Sequence, residues 1–178
     1  MKEPKRSPWG TVDSCKVVAP GIMSVSTPGH GGIKLSRANN AKMPEMARKK
    51  GGWYEEDCEW SLVALVFPEA FEGLEDTAKS SAKNWFPEAY EAITGETVAV
   101  EESCTLKRRA FEAATADKFV TVSARGDWAT DVPAGMVGVT ARKKSTGETA
   151  NFLVTAAEYD ARNGSFVVDE AKHTAMAC

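Results

Sequence analysis

Apolar and polar positions change their rhythm twice along this chain. From residue 12 to residue 36 it reads VDSCKVVAPGIMSVSTPGHGGIKLS. Val17 and Val18 precede Pro20-Gly21, Ile22 to Ser26 alternates, and Ile33, Lys34 and Leu35 alternate again. A period of two places successive side chains on opposite faces of a strand. The segment is therefore predicted to be strands. Pro20-Gly21 makes one turn, and TPGHGG (27–32) closes a hairpin, with proline fixing one angle and glycine supplying positive φ.

The middle of the chain reads as helix. Residues 36–52 predict two short pieces: Ser36 caps the first, Pro44 begins the second and Gly51 ends it behind basic residues. WYEEDCEWSLVALVF (53–67) is predicted as the strongest helix, with three acids in its first turn and an apolar run that implies a central, buried position. FPEAFE (67–72) recurs as FPEAYE (86–91). In each, a helix stops at phenylalanine and proline starts a new turn. Residues 74–86 and 102–116 are further helices, the latter with Leu106, Ala110, Phe111 and Ala114 on one face.

The last third returns to period two. KFVTVSARG (118–126), GMVGVTARKK (135–144) and NFLVTAAEY (151–159) predict strands, the second and third joined by Ser145-Thr146-Gly147. SFVVD (165–169) is read as a fourth strand, and EAKHTAMAC (170–178) as a short helix or tail. The expectation is one α+β domain over 1–178: an N-terminal β-hairpin, a helical middle and a C-terminal antiparallel β-meander.

Composition narrows the class without naming a reaction. The 178 residues are 43% hydrophobic and 26% charged, enough for a folded core. A net charge of −3 gives no broad attraction to nucleic acid or anionic membrane. The basic triplets 48–50, 107–109 and 142–144 read as solvated helix ends or strand edges. Cys15, Cys58, Cys104 and Cys178 form no C-x-x-C pair, which suits a reducing compartment. SLVALVF (61–67) is too short to span a bilayer, and MKEPKRSPWG (1–10) lacks a secretory apolar region. A cytoplasmic protein is expected.

Candidate chemistry centres on His30. An imidazole between glycines titrates near neutral pH and suits acid–base work. Its expected partners are Glu55, Glu56, Asp57 and Cys58. Three carboxylates beside Cys58 oppose its thiolate, which disfavours a Cys–His nucleophile. If the protein is an enzyme, the catalytic set is His30, Glu56 and Asp57. A carboxylate pair with His30 could equally hold a divalent cation or activate water. The plainer readings are acids that charge a helix and glycines that make a turn. A zinc set of His30, Cys58, Cys104 and His173 lacks doublet spacing, so no metal is assigned and the cofactor stays open. No phosphate loop, dinucleotide fingerprint or serine-hydrolase elbow is present. The candidate binding residues are Gly31, Gly32, Trp53, Tyr54, Glu55 and Trp128. Trp53-Tyr54 would wall a pocket, and Trp128 in RGDWATD (125–131) would either anchor a partner or cover the sheet end.

Three segments carry a likeness: WGTVDSCKVVAPGIMSVSTPGHGGIKLS, MPEMARKKGGWYEEDCEW and FLVTAAEYDARNGSFVVDEAKH. Together they resemble a domain family of phage, prophage and plasmid accessory proteins that carries no assigned reaction. Its motif falls on His30, Gly31, Gly32, Trp53, Tyr54, Glu55, Glu56, Asp57 and Cys58. The resemblance implies a mobile-element accessory protein, of a kind whose related domains often travel with anti-restriction and other counter-defence modules. The first functional expectation is thus a protein that binds and inhibits a host protein, such as a defence or nucleic-acid-handling complex. Its acidic runs Glu55-Glu56-Asp57 and Glu101-Glu102 would meet a basic groove. The alternative is a small hydrolase or modifying enzyme using His30 with Glu56 or Asp57, with or without a metal. That alternative requires His30 within hydrogen-bond or one-water reach of a carboxylate. A nucleic-acid binder would need the basic triplets to converge on one face.

Overall fold

The structure, a computed structural model, describes residues 1–176. The chain divides into two compact units, Met1–Lys107 and Arg108–Cys178. The expected α+β plan is present: antiparallel strands first, helices in the middle, and an antiparallel sheet of four strands at the end.

The first unit opens with a two-stranded ribbon, β1 (Arg6–Ser7) and β2 (Gly10–Thr11), joined by a turn that carries Trp9. Then come β3 (Ser14–Ala19), β4 (Ile22–Ser26) and β5 (Gly31–Leu35). Ser36 caps α1 (Arg37–Asn40) by accepting the N–H of Asn39 at 3.2 Å. The second helical piece expected before residue 52 consists only of 3-10 turns at Glu45–Ala47 and Lys50–Gly52. Gly51 and Gly52 take φ of 79° and 70° and end any helix there. β6 (Trp53–Glu55) follows and completes an antiparallel sheet of order β3-β4-β5-β6.

Here the expected helix over 53–67 needs correction. Trp53 and Tyr54 pair with Lys34 and Ile33 as strand residues. The Glu55 carboxylate then accepts the N–H of Asp57 at 2.7 Å and of Cys58 at 3.2 Å, closing a turn. The helix, α2 (Trp60–Val66), starts only after these acids. Its burial is as expected: Ser61, Leu62, Val63 and Ala64 are inside. α3 (Glu75–Trp85) and α4 (Pro87–Thr94) pack with it. The repeated FPEA corner is real. Phe67 and Phe86 take nearly the same backbone angles (φ −130°, ψ 60° and φ −134°, ψ 55°) and each precedes a proline-initiated turn. The core joins Ile22 and Leu35 of the sheet to Tyr54, Leu62, Phe67 and Tyr90.

α5 (Cys104–Ala114) leads into the second unit. Of the apolar residues read as one helix face, Leu106 is half-buried, while Ala110, Phe111 and Ala114 are exposed. β7 (Phe119–Arg125), β8 (Met136–Lys143) and β9 (Thr149–Thr155) form the meander, with Gly147 turning β8 into β9 at φ 75°. β9 ends earlier than expected because Thr155 caps α6 (Ala156–Asp160), accepting the N–H of Glu158 at 3.2 Å. Residues 165–169 are not a strand. They make one bridge, Val120 to Val167, beside β7. The fourth strand is β10 (Thr174–Ala175) on the opposite edge, giving the order β10-β9-β8-β7. This unit has its own core of Phe119, Val139, Ala141, Phe152, Val154 and Val168.

No helix among the described residues is long and apolar enough to cross a membrane. Cys15, Cys58 and Cys104 are free thiols, and Cys178 lies outside the described residues.

Candidate functional site

The β4–β5 hairpin fixes His30. Thr27 donates its backbone N–H and its hydroxyl to the His30 carbonyl, both at 2.7 Å, and its Oγ1 accepts the His30 N–H at 3.2 Å. Across the sheet, β6 pairs Glu55 with Gly32, and Glu56 donates its N–H to Gly31 O at 3.2 Å. The ladder therefore brings the imidazole and the acids together, although His30 and Glu56 are 26 residues apart. His30 Nδ1 lies 3.1 Å from Glu56 Oε1 and 3.5 Å from Glu55 Oε1. One donor atom from each of the three residues lies within 4.8 Å of the others.

The glycines act by size and not by positive φ. Neither Gly31 nor Gly32 is in the left-handed region, and both belong to β5. A β-carbon on Gly31 would sit 2.3 Å from Glu56 Oε2, and one on Gly32 would meet Tyr54 O at 2.2 Å and the Trp9 ring at 2.3 Å. The expected hairpin closes between Ser26 and Gly31, but without the positive φ expected of its glycines: the missing side chains let a carboxylate and an indole approach the strand.

Trp9 closes one side. Its ring lies 6.1 Å from the His30 ring and 5.8 Å, edge-on, from Trp53. Lys34 Nζ stands 4.6 Å from the Trp53 ring and donates to Gly51 O. On the other side, Glu56 reaches an open groove of about 240 Å³ lined by Ser24, Gly32, Ile33, Trp60, Phe71 and Leu74.

Electrostatics follow from this geometry. Accepting a hydrogen bond from the imidazole, the Glu56 carboxylate raises the His30 pKa; slight burial opposes this, and Glu55 and Asp57 add to it. Cys58 is raised above the usual thiol value by burial first and then by Glu55, Asp57 and Glu59. Both influences oppose the thiolate, which is the nucleophilic form.

Among the predicted site residues, His30, Glu55 and Glu56 converge, with Gly31 and Gly32 beneath them and Trp53 beside Trp9. Asp57 is near enough to act on His30 electrostatically but contributes no atom to the three-donor group. Tyr54 is corrected: it is fully buried and walls no pocket. Its hydroxyl donates to Asn40 Oδ1 at 2.8 Å and accepts the Lys49 N–H at 3.2 Å. Alternation along β6 sends it to the face opposite Trp53 and Glu55. Trp128 belongs to the second unit and is 80% exposed, so it does not cover a sheet end. Of the zinc set of His30, Cys58, Cys104 and His173, neither Cys58 nor Cys104 joins His30 in a three-donor group among the described residues. His173 is in the second unit, where its Nδ1 accepts the Asp169 N–H at 3.0 Å. Several basic-triplet side chains are locally committed. Arg48 donates to Met43 O and Ala41 O, Lys49 pairs with Glu59, and Lys144 pairs with Glu112. Trp9 and Lys34 are the site residues that sequence reasoning missed. Nothing in the periodicity marks Trp9, because its ribbon is only two residues per strand.

A family profile, that of the domain of unknown function DUF7007, matches residues 2–116. The chain belongs to the DUF7007 family. The matched span contains Trp9, His30, Glu55, Glu56 and the whole groove, and stops before β7. No curated protein and no solved structure matches the chain.

Proposed function

We propose that His30, Glu55 and Glu56 hold a divalent cation and that this DUF7007 protein is a cation-assisted hydrolase. The observation that carries the reading is the convergence of one imidazole nitrogen and two carboxylate oxygens within 4.8 Å. Zinc-type cations take such donors at about 2.0–2.2 Å. Three protein ligands leave positions for water and substrate, the arrangement of catalytic sites and not of closed structural ones. Charge supports a cation as well. Among the described residues, Glu55 and Glu56 pair only with His30 and with no lysine or arginine. A bound cation would lower the pKa of its water and supply the hydrolytic nucleophile. Asp57 is the neighbouring carboxylate left to accept the proton. The apolar part of a substrate would lie against Trp60, Phe71 and Leu74 in the groove that Glu56 borders.

Titration with Mn²⁺, followed by the loss of the free-ion paramagnetic resonance signal, tests the site. Wild type is expected to take up one ion, and His30→Ala and Glu56→Gln to lose it while keeping their fold by circular dichroism. Wild-type protein that leaves Mn²⁺ free rejects the reading. A panel of chromogenic esters, amides and phosphodiesters, with and without the ion, then tests the reaction class.

A second reading is a counter-defence protein that binds and inhibits a host defence or nucleic-acid-handling complex, as the resemblance to mobile-element proteins implies. Trp128 favours it. The indole is 80% exposed on a loop held by the Arg125–Asp131 ion pair and by Asp127 accepting the Gly135 N–H at 3.1 Å. A pre-ordered aromatic loses little entropy on docking and is a frequent hot spot. Affinity purification from a host extract with wild type and Trp128→Ala decides it: a stoichiometric partner that the variant fails to retain supports inhibition by binding.

A further inference from the structure

The second unit carries a cleft that the hydrolase reading does not use. β7 and β8 pair Val120 with Arg142, so these two side chains share one face of the sheet. The opposite face holds Phe119 and Ala141, which are buried in the core. The ladder slips between Thr121 and Ser123, and Val122 is the extra residue of a bulge. It is 63% exposed. The C-terminal part of α5 runs along the same groove, contributing Phe111, which is 37% exposed, and Glu112. The groove encloses about 350 Å³, within the range of small-molecule sites.

Its two cations differ. Lys144 is paired with Glu112 at 2.6 Å. The Arg142 side chain makes no hydrogen bond or ion pair among the described residues, yet it borders the groove. A free guanidinium beside Phe111, Val120 and Val122 offers a planar fork for a carboxylate next to a surface for an apolar body. The apolar helix face read from the sequence is exposed at Phe111.

We propose that this groove binds an amphipathic organic anion, with its acid group on Arg142 and its apolar body along Phe111, Val120 and Val122. The proposal is independent of the His30 cluster.

The probe is 8-anilinonaphthalene-1-sulfonate, an aryl body with one anionic group, displaced by decanoate or by decanol. Wild type is expected to enhance its fluorescence saturably with one site per chain, and decanoate but not decanol to displace it. Arg142→Gln is expected to weaken binding about tenfold, the loss of one charge-assisted contact of roughly 1.4 kcal/mol. Val122→Asp is expected to abolish it, and Glu56→Gln to leave it unchanged. Circular dichroism and melting temperature identify variants that have lost their fold. Binding indifferent to both groove variants overturns the site. Binding lost in Val122→Asp but untouched in Arg142→Gln, or displaced equally by decanol, overturns the anion assignment.

Discussion

Trp9 lies so close over Gly32 that a β-carbon on the glycine would stand 2.3 Å from its ring. The same carbon would meet the Tyr54 carbonyl oxygen at 2.2 Å, and that backbone atom belongs to the paired strand. Gly32→Ala therefore has to move Trp9 and spread β5 from β6. Overpacking of this kind costs about 1–3 kcal/mol. Thermal unfolding should show a lowered midpoint, and tryptophan emission should shift as Trp9 leaves its seat. Gly29→Ala is the matched control, since a β-carbon there meets nothing within 4 Å. Equal stability of the two variants would contradict the contact.

Tyr54 separates support from chemistry. Its hydroxyl binds Asn40 and the Lys49 N–H inside the first unit, behind the strand that presents Glu55. Tyr54→Phe leaves those partners without the hydroxyl, at a cost of about 1–3 kcal/mol. Denaturant unfolding should show that loss. Mn²⁺ uptake by the folded variant should match wild type. Loss of uptake at full stability would return Tyr54 to the site.

The sequence makes strands and their turns legible where one residue type decides the geometry. Ile22 to Ser26, the FPEA corners and the Gly147 turn are examples, each following from alternation, from proline or from positive φ. It misleads at 53–59. Three acids before an apolar run look like a charged helix start, yet Trp53 and Tyr54 gain a strand partner and Glu55 uses its carboxylate to close a turn. The pairing of His30 with Glu56 is legible as chemistry, because few residue types can do that work. The reason for the glycines is not legible: a close approach from Trp9 depends on tertiary contacts that no local pattern encodes.

Glu158 ties the end of the second unit together. Its carboxylate accepts from Thr155 Oγ1 at 2.8 Å and from Lys172, and His173 Nε2 stands 3.9 Å away. These partners, with Lys172 the largest influence, depress its pKa from 4.5 to about 2. A depressed carboxylate contributes stability that is complete above its unfolded value and is lost as pH falls towards the folded one. The loss is therefore expected between about pH 4.5 and pH 2. Urea midpoints measured across that window should fall more steeply for wild type than for Glu158→Gln. Parallel curves would mean that the carboxylate is not held as described.

His30 and Glu56 give the complementary case, with the opposite sign. In the cation-free protein the imidazole is raised above 6.5, chiefly because Glu56 accepts its hydrogen bond. A raised histidine contributes stability that is fully present below the unfolded value and fades as pH rises through the folded one. The chain has two histidines, so the His30 ring resonance can be assigned by substituting the other, His173. Its titration should centre above 6.5 in wild type and move back towards that value in Glu56→Gln. Glu55→Gln should move it less, since Glu55 stands farther off, at 3.5 Å against 3.1 Å. A titration centred at the ordinary value in wild type, or one shifted more by Glu55→Gln, would mean that the imidazole does not face Glu56 in solution, and the three-donor cluster would lose its nitrogen.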